Sequence, residues 1–120
     1  IENETLAISA LKLDKRLNEI GIHKNGSLIN KKTKKKISAL LPVHVFGIPV
    51  NFKSIENIAK KWGIPIVEDS AEALGSWYKK QNVFSHCGLL GDIGILSFNG
   101  NKIITTGGGG VLLTNNKAFI

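Results

Sequence analysis

The most constraining feature of this sequence is a helix with a defined start and stop, set between two short apolar runs. Ile55, Ile58, Ala59 and Trp62 recur at i, i+3, i+4 and i+7, which is one face of a helix from Phe52 to Trp62. Asn51 or Ser54 can cap its start, Gly63 suits the left-handed position past its end, and Pro65 lies just beyond. Before the helix, residues 37–43 form a continuous apolar stretch of strand length, which predicts a strand buried on both faces. After it, Ile64-Pro65-Ile66-Val67 predicts a second short strand that ends in Glu68-Asp69. Strand, helix and strand at this spacing make a parallel βαβ unit with a right-handed crossover. The fold class is therefore α/β.

The flanking segments extend this frame. Leu13, Leu17 and Ile20 recur at helical spacing and predict a helix over residues 11–20, with Asp14 favouring its N-terminus and Gly21 ending it. Asn25-Gly26 sits between Ile22-His23-Lys24 and Ser27-Leu28-Ile29, and this dipeptide tolerates the positive φ angles of a tight hairpin turn. Towards the other end, residues 93–98 predict a third buried strand, Asn99-Gly100-Asn101-Lys102 a turn, and Val111-Leu112-Leu113-Thr114 a strand returning in the same sheet.

Composition removes several functional classes. With 120 residues and 42% hydrophobic content the chain can bury one core, and its 21% charged residues are ordinary for a globular chain. One cysteine, Cys87, excludes a disulfide framework and fits a reducing compartment, and no apolar run approaches the roughly 20 residues that span a bilayer. Neither a basic n-region nor an apolar h-region opens the chain, and it contains no Met, so we read it as an internal fragment. The net charge of +7 invites a nucleic-acid reading, but much of the excess lies in residues 31–36 with no aromatic interleaved and Arg16 as the sole arginine. That run reads as a solvated turn, and no nucleic-acid partner is expected. His86-Cys87 are adjacent and lack a second cysteine, so no metal site is expected.

In an open parallel sheet, ligands sit beyond the carboxyl ends of the strands. The polar residues there are His44, Asp69, and the group Ser97, Asn99 and Lys102. An acid, a hydroxyl and a lysine on one sheet edge can hold a pyridine cofactor by its ring nitrogen, phosphate and aldehyde. His44 can instead satisfy backbone groups at its strand end, and we leave it out of the catalytic set. The glycines 107–110 are not a phosphate loop, because Val-Leu-Leu-Thr follows them where a Lys-Ser/Thr pair and a helix are required. Close backbone packing under the lysine accounts for them better.

Two longer runs are more specific. Val67-Glu68-Asp69-Ser70-Ala71-Glu72-Ala73-Leu74-Gly75-Ser76 and the segment 91–110, with its Ser97-Phe98-Asn99-Gly100-Asn101-Lys102 core, resemble the pyridoxal-phosphate-dependent sugar-nucleotide aminotransferases of the DegT/DnrJ type. With Pro42-Val43-His44-Val45-Phe46-Gly47 the resemblance covers the chain from about residue 38 to its end, in the family's order. The hairpin and its lysine run are similar to the branch that makes bacillosamine- or legionaminic-type amino sugars. Residues 81–90 depart from the family's usual lysine-, glycine- and threonine-containing wording.

The resemblance implies a set of roles. Lys102 would form the internal Schiff base with pyridoxal 5′-phosphate, Asp69 would face the pyridine nitrogen, and Ser97 would hold the phosphate. Glu72 stands where many members carry His or Gln, and a hydrogen bond to the ring hydroxyl is the role assigned to it. It also implies part of the large domain of a fold type I enzyme, with an N-terminal segment and a small C-terminal domain outside residues 1–120. The whole protein would be a cytoplasmic homodimer that moves an amino group, from glutamate, to a UDP-linked 4-keto sugar for surface-glycan synthesis. The family's dehydratase branch replaces the lysine by histidine, so Lys102 argues against it; a non-catalytic nucleotide-sugar-binding regulator is the remaining rival.

Overall fold

The computed structural model describes residues 1–80 and 82–119, so Gln81, the first residue of the divergent segment noted above, lies outside the described residues. Helix α1 (Ala10–Ile20) leads into a hairpin of β1 (Gly21–Lys24) and β2 (Ser27–Asn30), with the expected Asn25-Gly26 turn at positive φ. Ser9, not Asp14, caps α1 by accepting the Lys12 N–H. Asp14 lies a turn further in, where its carboxylate accepts from Lys61 Nζ at 2.8 Å and Trp62 Nε1 at 3.3 Å. It therefore ties α1 to α2 (Phe52–Trp62) and serves no helix terminus.

Helix α2 keeps the expected bounds. Asn51 is its cap, accepting the Ser54 N–H, and Gly63 takes the left-handed conformation at φ 61°, where its N–H reaches the last turn. The face carrying Ile55, Ile58, Ala59 and Trp62 is buried in one core cluster with Leu40 and Ile66 of the sheet.

The main sheet contains β3 (Val67–Asp69), β6 (Ile93–Ser97) and β7 (Gly110–Leu113), with β3 parallel to β6 and β7 antiparallel to it. Segment 40–43 runs parallel to β3 through bridges Leu40–Ile66 and Val43–Asp69. The expected strand over residues 37–43 is reduced to these bridges, and the reason is Pro42. Its neighbours make the ladder bonds Leu40 N–H to Pro65, Val67 N–H to Leu40, Asp69 N–H to Pro42 and His44 N–H to Asp69, but Pro42 has no N–H for the bond between them. Burial on both faces also fails: Leu40 and Pro42 are buried, whereas Leu41 and Val43 are 56% and 39% exposed. The second strand begins at Val67 and not at Ile64.

A further hairpin, β4 (Trp77–Lys80) with β5 (Val83–His86), was not expected from the sequence. Its turn carries neither Asn-Gly nor Asp-Gly, the dipeptides that usually betray a two-residue connection. Short 3₁₀ turns lie at Val45–Gly47 and Lys117–Phe119. Among the described residues no helix is long and apolar enough to cross a membrane.

Candidate active site

The sheet register sorts the strand-end residues onto two faces. Val43 pairs with Asp69, Asp69 with Ile95, and Ile95 with Leu112, so these four form one row across the sheet. Ser97 lies two residues beyond Ile95, hence on the same face, at the carboxyl end of β6. Asp69 holds the corresponding end of β3, one strand over. Its Oδ1 accepts the Ala71 N–H at 3.1 Å, which leaves Oδ2 without a partner among the described residues. Ser97 Oγ accepts the Asn99 N–H at 3.3 Å, and a hydroxyl used in this way still has its own proton to donate.

Lys102 sits in the loop between β6 and β7. Phe98 pinches the base of that loop: its N–H donates to Gly109 and its carbonyl accepts from the Thr106 N–H and Thr105 Oγ1. Gly110 lies so close to β6 that a Cβ would stand 2.6 Å from the Leu96 carbonyl, whereas Gly107 and Gly108 face open space and Gly107 and Gly109 supply positive φ. Close packing thus explains one of the four glycines, and backbone conformation two others. Lys102 Nζ is 3.8 Å from Glu72 Oε1, with its side chain 18% exposed. Glu72 Oε2 accepts the Phe46 N–H at 2.9 Å. Phe46, Glu72, Asn101, Lys102 and Ile103 line an open cleft of about 260 Å³. The structure therefore brings Glu72 and Lys102 together on one side, and Asp69 and Ser97 together on one sheet face. Among the described residues no hydrogen bond or ion pair joins the two groups.

Sequence reasoning missed Glu68 and Phe46. Glu68 faces the opposite side of β3 from Asp69 and has no exposed surface. Its carboxylate takes the His44 Nε2 at 2.9 Å and the N–H groups of Gly88 (3.0 Å), Leu90 (2.7 Å) and Gly91 (2.6 Å). Burial pushes its pKa up, but the His44 bond and the Gly88 and Gly91 amides outweigh burial and hold the carboxyl below its ordinary value. The period-two pattern carried the signal, since Glu68 shares a face with buried Ile66. Phe46 has φ 52°, in the left-handed region a bulky residue seldom adopts, and the residue is 75% exposed.

The remaining candidates are occupied elsewhere. His86 Nε2 accepts the Gly75 N–H at 2.7 Å and Nδ1 contacts the Cys87 carbonyl at 2.5 Å, so both ring nitrogens serve backbone groups. Burial, with the Glu68 charge second, raises the Cys87 thiol to about 11. Residues 31–36 form an exposed turn in which Asn30 Oδ1 accepts two backbone N–H groups and Lys31 Nζ reaches the carbonyls of Asn18 and Glu19 at the end of α1.

The chain is 44% identical over 91 residues to GDP-perosamine synthase of Escherichia coli O157:H7, covering 76% of this chain and 24% of that protein. It is 36% identical over 121 residues to UDP-4-amino-4,6-dideoxy-N-acetyl-beta-L-altrosamine transaminase of Campylobacter jejuni, covering 95% and 31%. The crystal structure of a DegT DnrJ EryC1 StrS aminotransferase from Brucella abortus superposes with a TM-score of 0.75 at 24% identity, covering 98% of this chain and 28% of that one, a likeness of fold. The chain thus spans about a quarter to a third of the length of these proteins. Since the family's sequence model matches residues 13–120, this chain belongs to the DegT/DnrJ/EryC1/StrS aminotransferase family.

Proposed function

We propose that the whole protein is a pyridoxal-phosphate-dependent aminotransferase that passes an amino group, from glutamate, to a keto-deoxysugar nucleotide, a UDP-linked 4-keto sugar, for surface-glycan synthesis. Residues 1–120 would be part of its cofactor-binding large domain, and the whole protein would work in the cytoplasm as a homodimer. Pyridoxal phosphate is the cofactor of the family. The observation that carries the reading is the donor set at the strand ends: a carboxylate with one oxygen uncommitted, a hydroxyl with its proton free, and a largely covered lysine amine. These residue types fit the ring nitrogen, the phosphate and the aldehyde of that cofactor.

When bound, the cofactor supplies a protonated pyridine ring that takes up the electron pair released at the donor carbon. The Asp69 carboxylate would accept the ring N–H. Ser97 would donate to the phosphate from the neighbouring strand. Lys102 Nζ would hold the cofactor at its aldehyde and would serve as the base that carries the proton away from the donor carbon. Glu72 Oε1 gives the Lys102 ammonium a charged partner until the amine is engaged.

Borohydride trapping tests this. The whole protein is loaded with pyridoxal phosphate, reduced, digested and mapped by mass spectrometry. Label on Lys102, and its loss in Lys102→Ala, is the expected result. Label absent there, or spread over surface lysines such as residues 31–36, would overturn the catalytic reading and favour a non-catalytic nucleotide-sugar-binding protein.

A further inference from the structure

His44 has no exposed surface, yet every polar atom of the residue except its carbonyl is committed to a different part of the chain. Its backbone N–H donates to the Asp69 carbonyl at 3.0 Å. Its Nδ1 accepts the Val50 N–H at 3.2 Å, so the ring proton must sit on Nε2, from which it donates to Glu68 Oε2 at 2.9 Å. The Val50 bond is the unusual one. It joins the two ends of the 44–50 loop across a single ring, and that loop carries Phe46.

Phe46 needs such a clasp. Its backbone lies in the left-handed region, which is costly for a bulky residue, and with 75% of the residue exposed its own burial does little to repay that. Four contacts hold the loop in place: the Phe46 N–H on Glu72 Oε2, the two turn bonds from Gly47 to His44 and Ile48 to Val45, and Gly47 seated where a Cβ would lie 2.9 Å from the Glu72 carbonyl. Glu72 then presents its other oxygen to Lys102. A chain of contacts thus runs from the buried imidazole, through the loop, to one wall of the lysine cleft.

We propose that His44 is a positioning residue for the Lys102 cleft, closing the 44–50 loop through the Val50 N–H and so fixing Phe46 and Glu72 opposite the lysine. The part of this proposal that concerns the cofactor rests on the function proposed above. A merely structural role for His44 would act through its bond to Glu68, and the two roles use different nitrogens of one ring.

Two substitutions in the whole protein separate them. His44→Asn keeps an acceptor near the Nδ1 position but is too short to reach Glu68; His44→Gln reaches Glu68 but has no acceptor at the Nδ1 position. Positioning predicts that His44→Asn lowers Tm while leaving amide exchange at Phe46 and Val50, and the affinity for pyridoxal phosphate by absorbance titration, within about twofold of the unsubstituted protein, the scatter expected when no net hydrogen bond is lost. His44→Gln should lower Tm less than His44→Asn does, yet speed exchange at both amides and weaken pyridoxal phosphate binding, each by about tenfold, near the upper value of one net hydrogen bond. If exchange and affinity simply follow Tm across the two variants, the proposal is overturned. Should His44→Asn not fold, His44→Gln decides alone, because unchanged exchange at Phe46 and Val50 sinks the idea. If the unsubstituted protein does not bind pyridoxal phosphate, the proposed function fails, and the exchange ranking still judges the loop.

Discussion

Glu68 is a buried carboxylate that stays charged, which is possible only because four donors surround it. Its folded pKa lies below the ordinary 4.5, so the unfolded chain takes up a proton first as acid is added. The stabilisation is therefore complete above the ordinary carboxylate range and is lost as pH falls through the folded value. Urea unfolding of the whole protein at a series of pH values from 7 downwards should show this acid loss. Glu68→Gln should remove Glu68's share of that dependence and cost about 2–4 kcal/mol at pH 7, because the amide turns an NH₂ towards backbone donors. An unchanged midpoint in Glu68→Gln would mean the network contributes nothing net. Asp69, one residue on, has the opposite surroundings: it keeps an oxygen uncommitted on the other face of the strand. A buried structural acid and a candidate functional acid are thus separated by the period of the strand alone.

At the scale of elements, the loop of residues 88–91 is aimed at Glu68 by its contact with β6. Gly94 pairs with Glu68 in the parallel register, and a Cβ there would stand 1.9 Å from the Gly88 carbonyl oxygen. Gly94→Ala must push the loop off the sheet and draw its amides away from the carboxylate, with an expected cost of about 3 kcal/mol or more. Gly100→Ala faces open space and should stay within about 0.5 kcal/mol. Denaturation midpoints for the pair check this, and equal midpoints would show that the loop yields freely. Helix α2 was legible in the sequence because cap, periodicity and stop signal all agree within one stretch of chain. The 37–43 strand misled because its apolar run hides a ladder gap at Pro42, a long-range consequence of one missing N–H. Lys102, Asp69, Glu72 and Ser97 could be picked out by wording and strand-end position, but the contact of Glu72 with Phe46 could not. It joins residues 26 apart in sequence through a backbone conformation that no side-chain pattern announces.

Across the whole molecule, α2 packs against Leu40 and Ile66 on one side of the sheet, while the opposite face, which carries Asp69 and Ser97, leaves apolar side chains in solvent. Along the row Val43, Asp69, Ile95 and Leu112 the two ends are 39% and 69% exposed, and Leu41 beside it is 56% exposed. Such a surface favours association when the 120-residue chain stands by itself. In the proposed large domain the same face is covered, so one substitution should act with opposite sign in the two settings. Leu112→Lys should make the isolated chain more monomeric by sedimentation velocity, because it breaks the apolar row with a charge. In the whole protein it should lower stability by about 2 kcal/mol or more, since a lysine would then be buried without a partner. A Leu112→Lys whole protein that unfolds at the unsubstituted midpoint would mean that this face meets solvent there too. Asp69 and Ser97 would then stand on an open surface, unable to exclude water from a bound pyridine ring, and the proposed site would lose the enclosure its chemistry requires.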